Sequence, residues 1–279
     1  MKRKKFYFDD DLKKIAAAIF IAFLFVFLKS ATAGDTALTA AEEAVAFNPS
    51  GLWQKALDVF QKNSDWFPGK VTIFSEVLDR HGRSDSITKL YFNITVDDKG
   101  EIRTELMQAI KNGKDISADM KNKLQIREAQ EEKTAKKKDT LTVSLADNPL
   151  NPDRQQDVTV RAHAEKQLLF GKICQRFDFS FKTEIVRKDK AEKITWIGKA
   201  WLEENNGIPV KLEFSFEPLP KRVHSLWMIY LYDITATGDW VLKEIKVQGQ
   251  GGFLFIKKSF RSTTSFSHYR RRGQSVLPR

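Results

Sequence analysis

Along this chain the spacing of apolar positions switches early from a helical period to a strand period and then stays there. Over Ser50 to Phe67 (SGLWQKALDVFQKNSDWF), Trp53, Ala56, Leu57 and Phe60 recur every three to four residues, with Ser50 placed to cap. That pattern predicts one amphipathic helix, which Pro68-Gly69 is expected to stop. Beyond it, Val71, Ile73, Ser75 and Val77 alternate with polar neighbours, and Leu90, Phe92, Ile94 and Val96 do so after a turn at His81-Gly82-Arg83. Asp97-Asp98-Lys99-Gly100 has hairpin composition and leads to Ile102, Thr104, Leu106 and Gln108 in a third alternating run, so the chain opens as a meander.

Between Lys114 and Asp139 the alternation breaks. Ile116, Met120 and Leu124 make a narrow helical stripe, and the stretch Arg127 to Asp139 is almost wholly charged or small, which reads as a surface helix running into a solvated segment. The stretch ADNPLNPDRQQD is loop by composition and ends what reads as a charged insert over 114–156.

Strand signals are strongest after it. Val158 and Val160 start them; Phe177, Phe179 and Phe181 then share one face of a strand whose other face carries Arg176, Asp178, Ser180 and Lys182. Ile194, Trp196, Gly198, Ala200 and Leu202 share the next face, Glu203 to Gly207 turns, and Leu212, Phe214 and Phe216 follow. After Pro218-Leu219-Pro220 come a strand marked by Trp227, Ile229 and Leu231, a turn near Thr237-Gly238-Asp239, Trp240 to Val247, and Gly249 to Tyr269. The expected fold is mainly β with some helix (α+β): a single curved antiparallel sheet, or half-open β-barrel, of about 9–11 strands covered by helices.

Ahead of all this, the chain begins with a basic segment, an unbroken apolar run from Ile15 to Leu28, and Ala31-Thr32-Ala33. The run is about 14 residues, short of the roughly 20 needed to span a bilayer as a helix, so residues 1–33 read as a secretory signal peptide cut after Ala33. That places the mature protein in the periplasm. An uncleaved anchor is the other reading, since Asp9, Asp10 and Asp11 interrupt the basic segment.

What remains, roughly 245 residues, fits one β domain at 34–270 and a basic tail at 271–279, the whole stretch from His268 onward reading as solvated. Of the net charge of +11, residues 1–33 hold seven basic and three acidic side chains, leaving +7 on the mature chain. Such an excess draws anionic partners without selecting one. The Lys133 to Lys138 run lacks interleaved aromatics and lies beside Glu128, Glu131 and Glu132, so no nucleic-acid partner is expected. Cys174 is the single cysteine, which rules out an intramolecular disulfide; in a strand it reads as a small buried apolar group, with a thiol activated by Lys172 and Arg176 as the alternative.

No HExxH, GxSxG, P-loop or CxxC motif occurs, and the four histidines are scattered at 81, 163, 224 and 268. The expectation is a protein that is not an enzyme, with no catalytic residues, metal or cofactor. Set against that, 21 Phe and 6 Trp are a large aromatic supply. They either fill a core or line a cavity that a curved sheet leaves open to an acyl chain.

The segment from Trp196 to Tyr269 resembles proteins of the LolA/LolB-like, outer-membrane lipoprotein-sorting superfamily. The resemblance is carried by a Gly-x-Ala-Trp-Leu strand (Gly198 to Leu202), a Gly-x-Pro turn before a Leu-x-Phe strand (Gly207, Pro209, Leu212, Phe214), and the closing GGFLFIKKSFRST (Gly251 to Thr263). It implies a half-open barrel closed by helices around an apolar cavity, and a carrier or binding protein for lipid or lipidated, lipoprotein-like cargo. On that basis Trp196, Phe214, Phe216, Phe253 and Phe255 are the expected cavity wall, lipid or acyl chains the expected partners, and the chain a monomer. The alternative is a periplasmic protein-interaction or envelope-sensor module with a filled core and a membrane-protein partner. No arginine of the family's helix-to-barrel latch has a match here.

Overall fold

The structure, a computed structural model, describes residues 51–63, 66–96, 102–133, 148–187, 190–219, 223–253 and 256–271. The signal-like segment, Ser50, the turn at Asp97 to Gly100, the end of the charged stretch, Phe255 and residues 272–279 lie outside them. Eleven strands form one antiparallel sheet: β1 (Trp66–Leu78), β2 (Ser84–Val96), β3 (Ile102–Lys111), β4 (Lys114–Asp115), β5 (Val158–Leu169), β6 (Lys172–Arg187), β7 (Lys190–Glu203), β8 (Pro209–Glu217), β9 (Val223–Ile234), β10 (Trp240–Phe253) and β11 (Ile256–Arg271). Helix α1 spans Gly51–Lys62, helix α2 spans Ser117–Lys133, and a 3-10 turn covers Pro152–Asp157.

The strand order is β4-β3-β2-β1-β11-β10-β9-β8-β7-β6-β5. Two meanders therefore run outward from the centre and back, and the first and last long strands pair there, from Trp66 opposite Arg271 to Leu78 opposite Ser259. The sheet does not close: β4 and β5 are its edges. It is the curved, half-open sheet that the alternation predicts. One consequence lies outside sequence reasoning. The stretch read as a charged insert starts at one edge of the sheet and ends at the other, and its described returning part buries Leu150 and Asn148.

Where the chain departs from its expected boundaries, pairing is the reason. Helix α1 ends at Lys62, before Pro68-Gly69, and Asn63 closes it by donating from Nδ2 to the Val59 carbonyl. Pro68 lies inside β1, paired to Tyr269 of β11, in the stretch where the pairing to β2, which begins at Lys70, has not started. A residue without an N–H costs no ladder bond on an unpaired side. On β3 the register with β2 shifts between Tyr91 and Phe92, which leaves Met107 as an extra residue; the inward phase passes from Leu106 to Ala109, and Gln108 is exposed. On β9 the inward residues are Leu226, Met228 and Tyr230, while Trp227 is exposed. β11 continues through His268, Tyr269 and Arg270 to Arg271, so these residues are strand and not tail.

Cys174 is fully buried on the outer face of β6, packed with Trp201 and Val210. Burial and the nearby Glu203 raise its pKa, against the pull of Lys172, so it stays a protonated thiol, as the apolar reading has it.

Candidate functional site

Because side chains alternate across a sheet, the pairing register decides which inward residues become neighbours. Three rows cross β6, β7 and β8. Phe181 faces Trp196 and Trp196 faces Phe216; Phe179 faces Gly198 and Gly198 faces Phe214; Phe177 faces Ala200 and Ala200 faces Leu212. The second row reaches Met228 and the third Tyr230 on β9. All of these side chains are buried, apart from the glycine that has none.

Ring contacts follow the rows. Phe181 stacks on Trp196 at 5.9 Å between centroids, Trp196 meets Phe216 at 5.0 Å and Phe214 edge-on at 5.7 Å, and Phe214 meets Tyr230 edge-on at 4.9 Å. Gly198 is where this wall needs a missing side chain: a Cβ there would stand 2.5 Å from Phe214 Cβ and 2.6 Å from Phe179 Cζ. The rings of Phe179 and Phe214 meet over it at 6.3 Å. The indole N–H of Trp196 is satisfied by Thr183 Oγ1 at 3.0 Å, so this buried ring carries no open donor.

Of the five expected wall residues, the structure brings Trp196, Phe214 and Phe216 into one cluster. Phe253 is the last residue of β10, and its side chain is not among those described; Phe255 lies outside the described residues.

Helix α1 lies over one end of the wall. Its Trp53 ring lies 5.6 Å from Phe177 and its Phe60 ring 6.1 Å from Trp240, both near the β7–β8 and β9–β10 turns. Trp53 Nε1 donates to Gln155 Oε1 at 2.9 Å, and Gln155 Nε2 donates to the carbonyls of Pro149 and Asn151, each at 2.8 Å. Beside this clamp, Trp240 stacks on Tyr232 at 4.4 Å and Asn148 Nδ2 donates to the Tyr232 hydroxyl at 3.3 Å. Tyr269 donates to the Leu242 carbonyl. Burial drives the pKa of both Tyr232 and Tyr269 well above the ordinary tyrosine value, so both hydroxyls stay protonated.

Toward β1, β2 and β11 the same inward face sets hydroxyls among its buried apolar residues Val71, Ile73, Leu90 and Phe266. Thr88 faces Ser75 and Ser75 faces Ser262, with Thr264 one inward position along. Ser75 Oγ donates to Ser262 Oγ at 2.9 Å, and all four residues are half-buried. Sequence reasoning missed this hydroxyl strip and the Gln155 anchor. The strip was visible as Ser and Thr at inward phase, whereas a glutamine in a loop carries no such signal.

No family model matches the chain, and no curated protein matches it. Among solved structures, a DUF1329 family protein from Desulfovibrio piger is similar at 9% identity over 80% of this chain and 93% of that one, with a TM-score of 0.35. The Pseudomonas aeruginosa MucA/MucB complex is similar at 7% identity over 80% of this chain and 98% of the matched one, with a TM-score of 0.20. Neither likeness, at such scores, carries an argument about function.

Proposed function

We propose that the protein is an exported, non-enzymatic carrier or binding protein that holds lipid, or the acyl chains of lipidated cargo, against the aromatic wall, and that it works in the periplasm. The observation that carries this reading is the wall itself: a continuous field of buried rings on the inward face of a sheet that does not close, with helix α1 over one end of it. The row Phe181, Trp196 and Phe216 lies toward the end away from α1, and with Phe214 it is the seat of the chain; Phe253 and Phe255 extend it in this reading. Enclosing a methylene there returns about 0.8 kcal/mol that water would withhold, which is what moving an acyl chain through an aqueous space requires. Among the described residues, the buried inward side chains of β6 to β9 are aromatic or aliphatic, which is surface that suits an apolar ligand. The three-part N-terminal pattern and the resemblance of Gly198 to Thr263 to lipoprotein-sorting proteins support the same reading.

Mass spectrometry of an organic extract of the purified chain is expected to return lipid, and the emptied protein to take up a fluorescent fatty acid. Phe216→Ala weakens uptake while the β circular-dichroism signal persists. A lipid-free extract together with no uptake removes the proposal.

A further inference from the structure

The β5–β6 hairpin breaks a local rule that nothing in the fold demands. Leu169 pairs with Lys172, so Phe170 and Gly171 alone make the turn, at φ 50 and φ 78. A two-residue turn with both φ positive favours Asn or Asp followed by Gly, and a bulky aromatic in the first position is strained. Packing does not compensate: Phe170 is 72% exposed, Leu168 is 72% exposed, and Ile173, paired with Leu168, is 55% exposed. None of the three belongs to either hydrophobic cluster. Such a residue, costly where it stands and idle in the folded chain, belongs to a contact made with something else.

We infer that the tip formed by Leu168, Phe170 and Ile173 inserts into the surface of an anionic lipid bilayer. Its size selects that partner over a folded one: the three part-exposed side chains offer well under the roughly 1,000 Å² that a specific protein interface needs, a second copy of this chain included. A bilayer interior accepts apolar groups in any orientation. The two-residue step from Leu168 to Phe170 spans about 7 Å, and interfacial segments bury their apolar side by ~5–10 Å.

Behind the tip, at the level of the headgroups, Lys172 Nζ holds Glu203 at 2.9 Å and Lys166 holds Glu204. Both carboxylates beside the tip are thus paired, and the net +7 that the chain keeps beyond residue 33 draws it to an anionic surface. This site is separate from the aromatic wall and stands whether or not the wall carries cargo.

The test uses the full chain and vesicles of phosphatidylcholine, with and without a quarter of phosphatidylglycerol. Hydrogen exchange at residues 168–173 is expected to slow on the anionic vesicles. Phe170→Asn is expected to weaken partitioning by about tenfold, as loss of most of one buried aromatic implies, with a thermal midpoint equal to or above that of the parent chain because Asn tolerates the turn. Unchanged exchange at the tip, or a Phe170→Asn chain that binds as the parent does, overturns the inference. Tip protection that needs no vesicles and grows with protein concentration also overturns it, by making the tip a contact between copies.

Discussion

On β6 to β9 the inward positions carry Phe177, Phe179, Phe181, Trp196, Phe214, Phe216 and Tyr230, each almost fully sealed from water. On β1, β2 and β11 the same alternation, on the same face of the same sheet, turns Ser75, Thr88, Ser262 and Thr264 inward next to Val71, Ile73, Leu90 and Phe266, and the hydroxyl-bearing residues stay half-buried. Alternation fixes which side chains face in, and their volume fixes whether the space is closed. Rings from adjacent strands reach across the inter-strand gap and fill the space above it; serine and threonine side chains meet across the gap, as Ser75 and Ser262 do, but are too small to fill that space, and they stay half-buried.

The largest expected effect tests how tightly the ringed half is set. Gly198→Val places a Cβ about where Phe214 Cβ, Phe179 Cζ and the Glu213 carbonyl oxygen, 2.5 Å away, already stand. Denaturant unfolding should show a loss of about 3 kcal/mol or more, because a backbone atom cannot step aside as a side chain would. An unchanged midpoint would mean that the rings do not fix the spacing of β7 and β8.

The seam between the halves, where Tyr232 and Tyr269 stand, gives the next effect, and it depends on pH. Both hydroxyls ionise less readily in the folded chain than at the ordinary value of 10.0. The unfolded chain therefore releases these protons first as pH rises, so the stability they confer is complete below pH 10.0 and is lost progressively above it. Thermal midpoints on either side of that pH should fall for the parent chain and fall much less for the chain carrying Tyr232→Phe and Tyr269→Phe; equal slopes would contradict the burial argument.

Least is expected of the polar half. Replacing both partners of the Ser75–Ser262 hydrogen bond by Ala leaves no orphaned donor, so stability should change by no more than about 0.5 kcal/mol. A cost comparable to that of Gly198→Val would make this half a packed core like the other.

Much of the fold was legible because its signals are local. The alternation through Phe177, Phe179 and Phe181, the turns at Gly82, Gly207 and Gly238 (all at positive φ), and the stripe Trp53, Ala56 and Leu57 each need only a few residues to declare themselves. That Trp196, Phe214 and Phe216 share one face of the sheet was legible for the same reason. Around Trp227 the signal fails, because Leu226 to Tyr232 is apolar on both faces and a period of two has nothing to contrast with. There the pairing of Met228 with Phe214 chose the face.

The sequence by itself therefore determined strand content, curvature-ready hairpins and an aromatic face, since periodicity and turn chemistry act over a span of a few residues. Only the tertiary structure decided that β1 lies beside β11, that the charged stretch joins the two edges of the sheet, that Gln155 anchors Trp53, and that Phe170 stands exposed at a hairpin tip. Those facts depend on contacts between residues far apart in the chain, or on the lack of them, and no local pattern encodes which distant partner arrives.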